Sequence, residues 1–240
     1  GVQTCALPIF YAYGGEHKPD RLVWTNSLPN FQSDPLCALA HLGATFKNHP
    51  DAPRWRRIGI DEIDRQLDAY CGRSGAWEES INYALYTFSY FTITFRALRE
   101  HCKIDYFQDE RVRRFACWLV RFLGPRDKRW NLVTYPGIGN AICPSGGGEA
   151  LLVFAGQLDV HDPLRDKLLW AWQQLEPGVR LTEHYPTVLA ALAPQKCGEV
   201  PAIEPLQSEC MDEVGVAMRD RHLQVDESFL FEKIGFAKDH

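Results

Sequence analysis

The sequence predicts a mainly α protein: an array of antiparallel helical hairpins with a short β segment at its C-terminal end. Three observations predict this. Apolar residues recur at helical spacing in successive segments between Ser33 and Leu192. Most connections between those segments are short, which favours antiparallel neighbours. After Ala193 the helical period stops, prolines cluster, and two β-type runs follow.

Residues 10–32 read as a loop, with Gly14-Gly15, Pro19, Asn26, Pro29 and Asn30. Ser33 can cap a first helix to about Phe46, with Asp34 and Pro35 in its first turn and Leu36, Leu39, Leu42 and Phe46 as its stripe. Asp51 caps the second, whose stripe is Ile60, Ile63, Leu67 and Tyr70 before the break CGRSG. The third helix, from about Trp77 to Glu100, carries Tyr83, Tyr86 and Tyr90 on one face. Phe88, Phe91 and Phe95 lie on another, so this helix is walled in on two sides. A fourth runs from about Asp109 to Leu123 on Val112, Phe115, Leu119 and Phe122. The long stretch GPRDKRWNLVTYPGIGNAICPSGGG has no clear element of its own, and Trp130, Tyr135 and Ile138 argue for order and function there. Helices follow at about Glu149–Gln157, Pro163–Leu175 and Thr182–Leu192, then a linker over 194–210 with Pro194, Pro201 and Pro205. VGVAMRD and ESFLFEKIGF read as strands joined by RHLQV. Helical hairpins with one inner helix per pair build either a toroid or a solenoid, and no repeat period separates the two.

Composition narrows the function classes. A net charge of -5 argues against nucleic acid as the main partner, which calls for a basic face. No run approaches the length of a membrane span. The opening GVQTCALPI matches the in-frame translation of a common sequencing adapter, so residues 1–9 are excluded from fold reasoning and the source reads as metagenomic. Without Cys5, seven cysteines remain, with no CxxC pair and no zinc-finger spacing. The other end, FEKIGFAKDH, stops inside a strand and its following loop.

The segment SGAWEESINYALYTFSYF resembles the Trp/Tyr-Glu-x-Ser/Gly-x-x-Tyr-x-x-Tyr segment of heparinase II/III-like polysaccharide lyases and related alginate lyases, through Trp77, Glu78, Ser80, Tyr83 and Tyr86. Upstream, WTNSLPNFQSDPLCALAHL is similar to their Asn-bearing loop, and downstream MDEVGVAMRDRHLQVDESFLFEKIGFAKDH is similar to the start of their β-sandwich. The resemblance implies the C-terminal part of an α/α toroid over 10–193, the linker 194–210, and a truncated antiparallel β-sandwich over 211–240. It implies a lyase that cleaves uronate-containing acidic polysaccharide by β-elimination, periplasmic or secreted. The piece itself is expected to be inactive. No cofactor is expected, although the family's sandwich domain can carry a structural zinc.

Such chemistry needs hydrogen-bond donors at the uronate carboxylate and proton-transfer groups at C5 and the glycosidic oxygen. The resemblance assigns proton transfer to Tyr83, with Tyr86 as second candidate, and places neutralisation on Asn30 rather than Asn26. Asn30 stands 53 residues before Tyr83 and 56 before Tyr86. His240 would open the sandwich's His-bearing loop. Asn26, Trp77, Glu78, Tyr135, Asn140 and His184 complete the expected substrate contacts. A tyrosine base calls for a lowered pKa, with Arg73, Arg96 and Arg129 as candidate cations. Many relatives carry His beside the Asn, whereas Phe31 follows Asn30 here, so the base is a tyrosine or a His from elsewhere, such as His184.

Other readings compete. A tyrosine stripe can be plain core, Asn30 a turn residue after Pro29, and His41 a core histidine. TYPGIGN opens no dinucleotide-binding unit. Arg111, Arg113 and Arg114 read as a solvated helix face. A glycoside hydrolase on the same toroid needs two facing carboxylates, and Glu78 and Glu79 are adjacent on one segment. A non-catalytic sugar-binding or scaffold relative is the remaining alternative.

Overall fold

The computed structural model describes residues 29–129, 131–137, 148–175, 200, 202–211 and 215–233, the side chains of 29–31 and 233 excepted. Six helices make up most of it: α1 (Pro29–Thr45), α2 (Ala52–Tyr70), α3 (Ile81–Cys102), α4 (Glu110–Arg121), α5 (Gly148–Ala155) and α6 (Pro163–Gln174). Two small antiparallel sheets complete it. One is the hairpin β1 (Arg126–Asp127) and β2 (Leu132–Val133). The other is the meander β3 (Glu209–Met211), β4 (Gly215–Arg219) and β5 (Phe229–Lys233). The chain is therefore mainly α with small antiparallel sheets. Among the described residues no helix is long and apolar enough to cross a membrane. The expected helix at 182–192 lies outside the described residues.

Helix starts follow local chemistry. Asp109 accepts from Arg111 N–H at the head of α4, and Asp162 accepts from Leu164 N–H at the head of α6. Pro163 takes a first-turn position where its missing N–H costs nothing. Two expected starts move. α1 begins at Pro29, not Ser33, and Pro35 lies inside it. Ser33 is no cap: its hydroxyl donates to Gln66 Oε1 (2.7 Å), while Arg65 donates to Gln32 Oε1 (2.6 Å). These bonds to α2 hold the extra turn that Pro35 alone would discourage. α3 begins at Ile81, because Trp77 is drawn into an extended bridge with Cys71.

α1 and α2 form an antiparallel hairpin on a glycine seam. A Cβ at Gly59 would stand 2.6 Å from both Leu36 O and Ala40 N, and one at Gly43 would stand 2.5 Å from Arg56 N. Only glycine permits backbones this close. α3 returns parallel to α1: Thr87 Oγ1 donates to Ser33 Oγ (3.5 Å) and Thr94 Oγ1 to Cys37 O (3.4 Å). α5 follows the direction of α3, with Phe154 stacked on Phe88 at 5.3 Å and Arg99 donating to Gln157 O beyond it (2.8 Å). α1, α3 and α5 thus lie side by side and parallel, while α2, α4 and α6 run back alongside them.

The core follows from this layering. Phe88, Phe91 and Phe95 of α3 are fully buried, as the two-sided pattern predicts. Trp77, Phe107, Phe115, Trp118, Phe122 and Phe154 extend the same cluster. At roughly 25 cal/mol per Å2 of apolar surface, each such ring contributes a few kcal/mol.

The arginines of α4 are not simply solvated. Arg111 bridges Asp64 (2.8 Å), Asp68 (2.7 Å) and Asp109 (2.6 Å), tying α4 to α2. Arg113 forms a two-pronged pair with Asp162 (both 2.8 Å), tying α4 to α6. The end of α4 also carries the meander. Arg121 donates to Glu209 Oε1 and to Ser74 O, both at 2.5 Å. Arg219 of β4 donates to Arg121 O (3.3 Å) and Leu123 O, where the negative end of the helix dipole favours a cation. Trp118 Nε1 meets Met211 Sδ at 3.2 Å, and Phe122 meets Phe231 edge-on at 4.8 Å. Ser74 precedes α3, so the meander sits at the end of the layer where α3 begins.

Candidate functional site

The tyrosine face of α3 starts at that same end. Trp77 fixes it: its indole is fully buried, stacks on Phe115 (5.0 Å, 9°) and donates to Glu79 Oε2 at 2.8 Å. Glu79 is itself 3% exposed, so the indole N–H offsets part of the cost of burying a carboxylate. Glu78 is half-buried, and its N–H donates to Tyr70 O (3.0 Å). Gly75 makes the preceding turn possible: it sits at φ +86°, with no room for a Cβ beside Arg114 O. Trp77 and Glu79 therefore brace the start of the helix, and Trp77 has no face left for a ligand.

Tyr83, Tyr86 and Tyr90 are each half-buried, which leaves part of every ring at the surface of the layer. They are not a sealed core stripe. Tyr86 Oη and Tyr90 Oη stand 2.9 Å apart, with the rings edge to face at 4.7 Å. Burial raises the pKa of the Asp34 carboxyl of α1 above the usual carboxylate value, and the nearby Tyr90 hydroxyl opposes that in part.

The parallel packing of α1 and α3 sets who can meet whom. Ser33 is level with Thr87, Asp34 with Tyr90 and Cys37 with Thr94. Asn30 is one turn before Asp34, and Tyr86 is one turn before Tyr90. The backbone therefore brings the first turn of α1, with Asn30, alongside the tyrosine-bearing start of α3. The side chain of Asn30 and the residues Asn26, Asn140, His184 and His240 lie outside what is described.

Other expected positions stand apart. Tyr135 is fully buried in the main core, where burial pushes its phenol up. It packs, and offers no surface to a substrate. Arg96 pairs with Glu100 (2.8 Å), Arg129 with Asp127 (2.7 Å), and Arg73 is exposed. His41 is half-buried rather than core, its pKa lowered by burial and then by His101. Among the described residues no group of three or more His, Cys, Asp or Glu could hold a metal ion, so they supply no ligand set for a zinc.

Two concavities of about 520 and about 420 Å3 lie along α4 and α6 and share Cys117 and Lys167. Neither is lined by a tyrosine, so these hollows and the candidate chemistry are on different faces. Sequence reasoning missed Asp34, which reads as an ordinary first-turn acid until the α1–α3 register is known. No family model and no curated protein matches the chain.

Proposed function

We propose that the chain belongs to a polysaccharide lyase that cleaves uronate-containing acidic polysaccharide by β-elimination. In this reading the parallel helices α1, α3 and α5, backed by α2, α4 and α6, are an arc of an α/α toroid. The meander β3–β5 is the beginning of a β-sandwich. One observation carries the reading: Asn30 on the first turn of α1, the half-buried tyrosines at the start of α3, and the sheet all gather at one end of the layer. A sugar chain lying there would meet the amide and the phenols together.

The chemistry follows from that grouping. Asn30 would donate to the uronate carboxylate and stabilise the charge that develops when C5 loses its proton. Tyr83 and Tyr86, at i and i+3, would serve proton transfer at C5 and at the glycosidic oxygen. Glu78 and Glu79 follow one another before α3, with Glu79 sealed against Trp77, which disfavours the facing carboxylates of a hydrolase.

The test is an ultraviolet assay for new C4–C5 unsaturated uronate, run on the recovered full-length protein against heparan sulfate, hyaluronan, chondroitin and alginate. Tyr83→Phe is run alongside. Product from the parent and its loss in the variant support the reading. Folded parent without product on any of the four counts against it and turns attention to plain sugar binding.

A further inference from the structure

A phenol takes a proton from carbon readily only as phenolate, and its ordinary pKa is about 10. Whichever tyrosine of α3 acts as base needs help to lose its proton. The cations expected to supply it are engaged or exposed: Arg96 pairs with Glu100, Arg129 with Asp127, and Arg73 is exposed. A hydrogen bond to the charged form acts in the same direction as a cation. The structure provides one at Tyr86. Tyr90, one turn further along α3, donates its hydroxyl to Tyr86 Oη at 2.9 Å. The two rings pack edge to face at 4.7 Å and 72°, which holds the oxygens together. A phenol has one hydrogen to give. Tyr90 gives its own to Tyr86, so the Tyr86 hydrogen points away from Tyr90 and can leave without breaking the bond. When Tyr86 ionises, that bond becomes charge-assisted and roughly twice as strong. Two effects oppose ionisation: the half-burial of the Tyr86 ring, and negative charge on Asp34, the titratable group of α1 on the Tyr90 side. On α3 the flanking groups of the same face are the phenols Tyr83 and Tyr90.

We propose, resting on the lyase reading, that Tyr86 is the base that takes the C5 proton and that Tyr90 is the positioning residue that stabilises its phenolate by donating a hydrogen bond. Tyr86 first releases its own proton to water. The C5–H bond then breaks, its proton bonds to Tyr86 Oη, and the electron pair left at C5 spreads into the uronate carboxyl. That pair forms the C4–C5 double bond as the bond from C4 to the glycosidic oxygen breaks. The departing oxygen takes its proton from Tyr83, which recovers one from water, and Tyr86 releases to water the proton it took. Tyr90 touches no substrate and keeps its own hydrogen throughout. The bond thus separates two roles that the sequence leaves open: the C5 side falls to Tyr86, which carries the donor, and the glycosidic oxygen to Tyr83, one turn nearer the head of α3.

The experiment has two arms. In the first, NMR of tyrosine labelled at the ζ-carbon follows the titration of Tyr86 in this chain and in Tyr90→Phe, the Tyr86 resonance being identified by its loss in Tyr86→Phe. The midpoint moves up by about 1–2 pH units in Tyr90→Phe, because a donor to the charged form is lost while the ring packing stays. An unmoved or lowered midpoint overturns the proposal, whatever the enzyme does. In the second, the ultraviolet assay is run across a range of pH on the recovered full-length protein and on its Tyr90→Phe and Tyr86→Phe variants. Tyr86→Phe gives no unsaturated product above background. In Tyr90→Phe the acidic limb of kcat/KM moves up by the same amount, so the variant is about 10–100-fold slower on that limb and approaches the parent as pH rises. A purely structural loss lowers the rate by one factor at every pH, and that outcome overturns the role of Tyr90. A fully active Tyr86→Phe overturns the choice of base and leaves the lyase reading standing. No unsaturated product from the parent overturns both.

Discussion

A buried ion pair within the meander offers a quantitative test. Arg219 and Glu227 meet at 2.9 Å with side chains 1% and 0% exposed. Burial weakens the hold of Arg219 on its proton, and the bond to Glu227 opposes that. Glu227→Gln keeps the shape and removes the charge, leaving a cation buried without its partner ion. Removing one member of such a pair typically costs 3–5 kcal/mol. Arg219 would keep the carbonyls of Arg121 and Leu123 and the face of the Phe229 ring at 4.5 Å, which places the loss at the low end, about 3 kcal/mol. For a chain of this size each kcal/mol moves the midpoint by about 2–4 °C, so Tm falls by about 6–12 °C. Near-ultraviolet circular dichroism during thermal unfolding reads this, since Trp118 packs on Met211. The double variant Arg219→Met with Glu227→Leu should recover to within about 1 kcal/mol of wild type, because an apolar pair of similar volume often replaces a buried ion pair without loss. A Glu227→Gln midpoint within a degree of wild type would refute the reasoning. So would a double variant as unstable as the two single losses combined.

Three further outcomes follow from the geometry. Gly59→Ala gains about 1 kcal/mol of helix propensity, but its methyl would meet Leu36 O and Ala40 N at 2.6 Å. Overpacking of about 1–3 kcal/mol wins, so a denaturant titration should show net destabilisation, and a gain would disprove the seam. Trp77→Phe removes the indole donor to Glu79 and opens space against Phe115, for a loss of about 2–4 kcal/mol in the same titration. An unchanged midpoint would mean that the bracing role is wrong. Arg113, and then the Leu164 N–H, hold the Asp162 carboxyl below the usual range. A depressed carboxylate stabilises the fold above its unfolded pKa of about 3.9 and ceases to as pH falls through the folded value. Asp162→Asn should thus cost about 1 kcal/mol at pH 7 after solvent screening. That gap should close below about pH 4, and a gap that persists there refutes the pairing.

Most of the helical frame could be read from residues because its determinants are local. The helices expected from about Asp109 and from Pro163 begin there, and the two-sided aromatic pattern of α3 marks a helix enclosed by others; Asp51, expected as a cap, stands at the start of α2 without a side-chain capping bond. The departures come from distant partners. Gln32 and Ser33 are helical because Arg65 and Gln66 hold them, bonds that span thirty-three positions of chain. Trp77 leaves the helix because Cys71 and Phe115 claim it. The β1–β2 hairpin has two residues per strand and β3 has three, too few to leave an alternating pattern in a loop or a linker. At the candidate site the tyrosine spacing was visible in the sequence, whereas Asp34 was not, since its neighbour Tyr90 is on another helix.

The glycine seam between α1 and α2 has a consequence for how the molecule breathes. Backbones in such close contact cannot slide past one another, and a methyl inserted at either glycine has nowhere to go. The two helices should therefore open to solvent as one cooperative piece, with a shared amide exchange rate along both. Asp34 rides on that piece and Tyr90 does not. The interface between α1 and α3 then spans the boundary of an unfolding unit, and the Ser33–Thr87 and Cys37–Thr94 bonds are broken whenever the hairpin lifts from α3 as a whole.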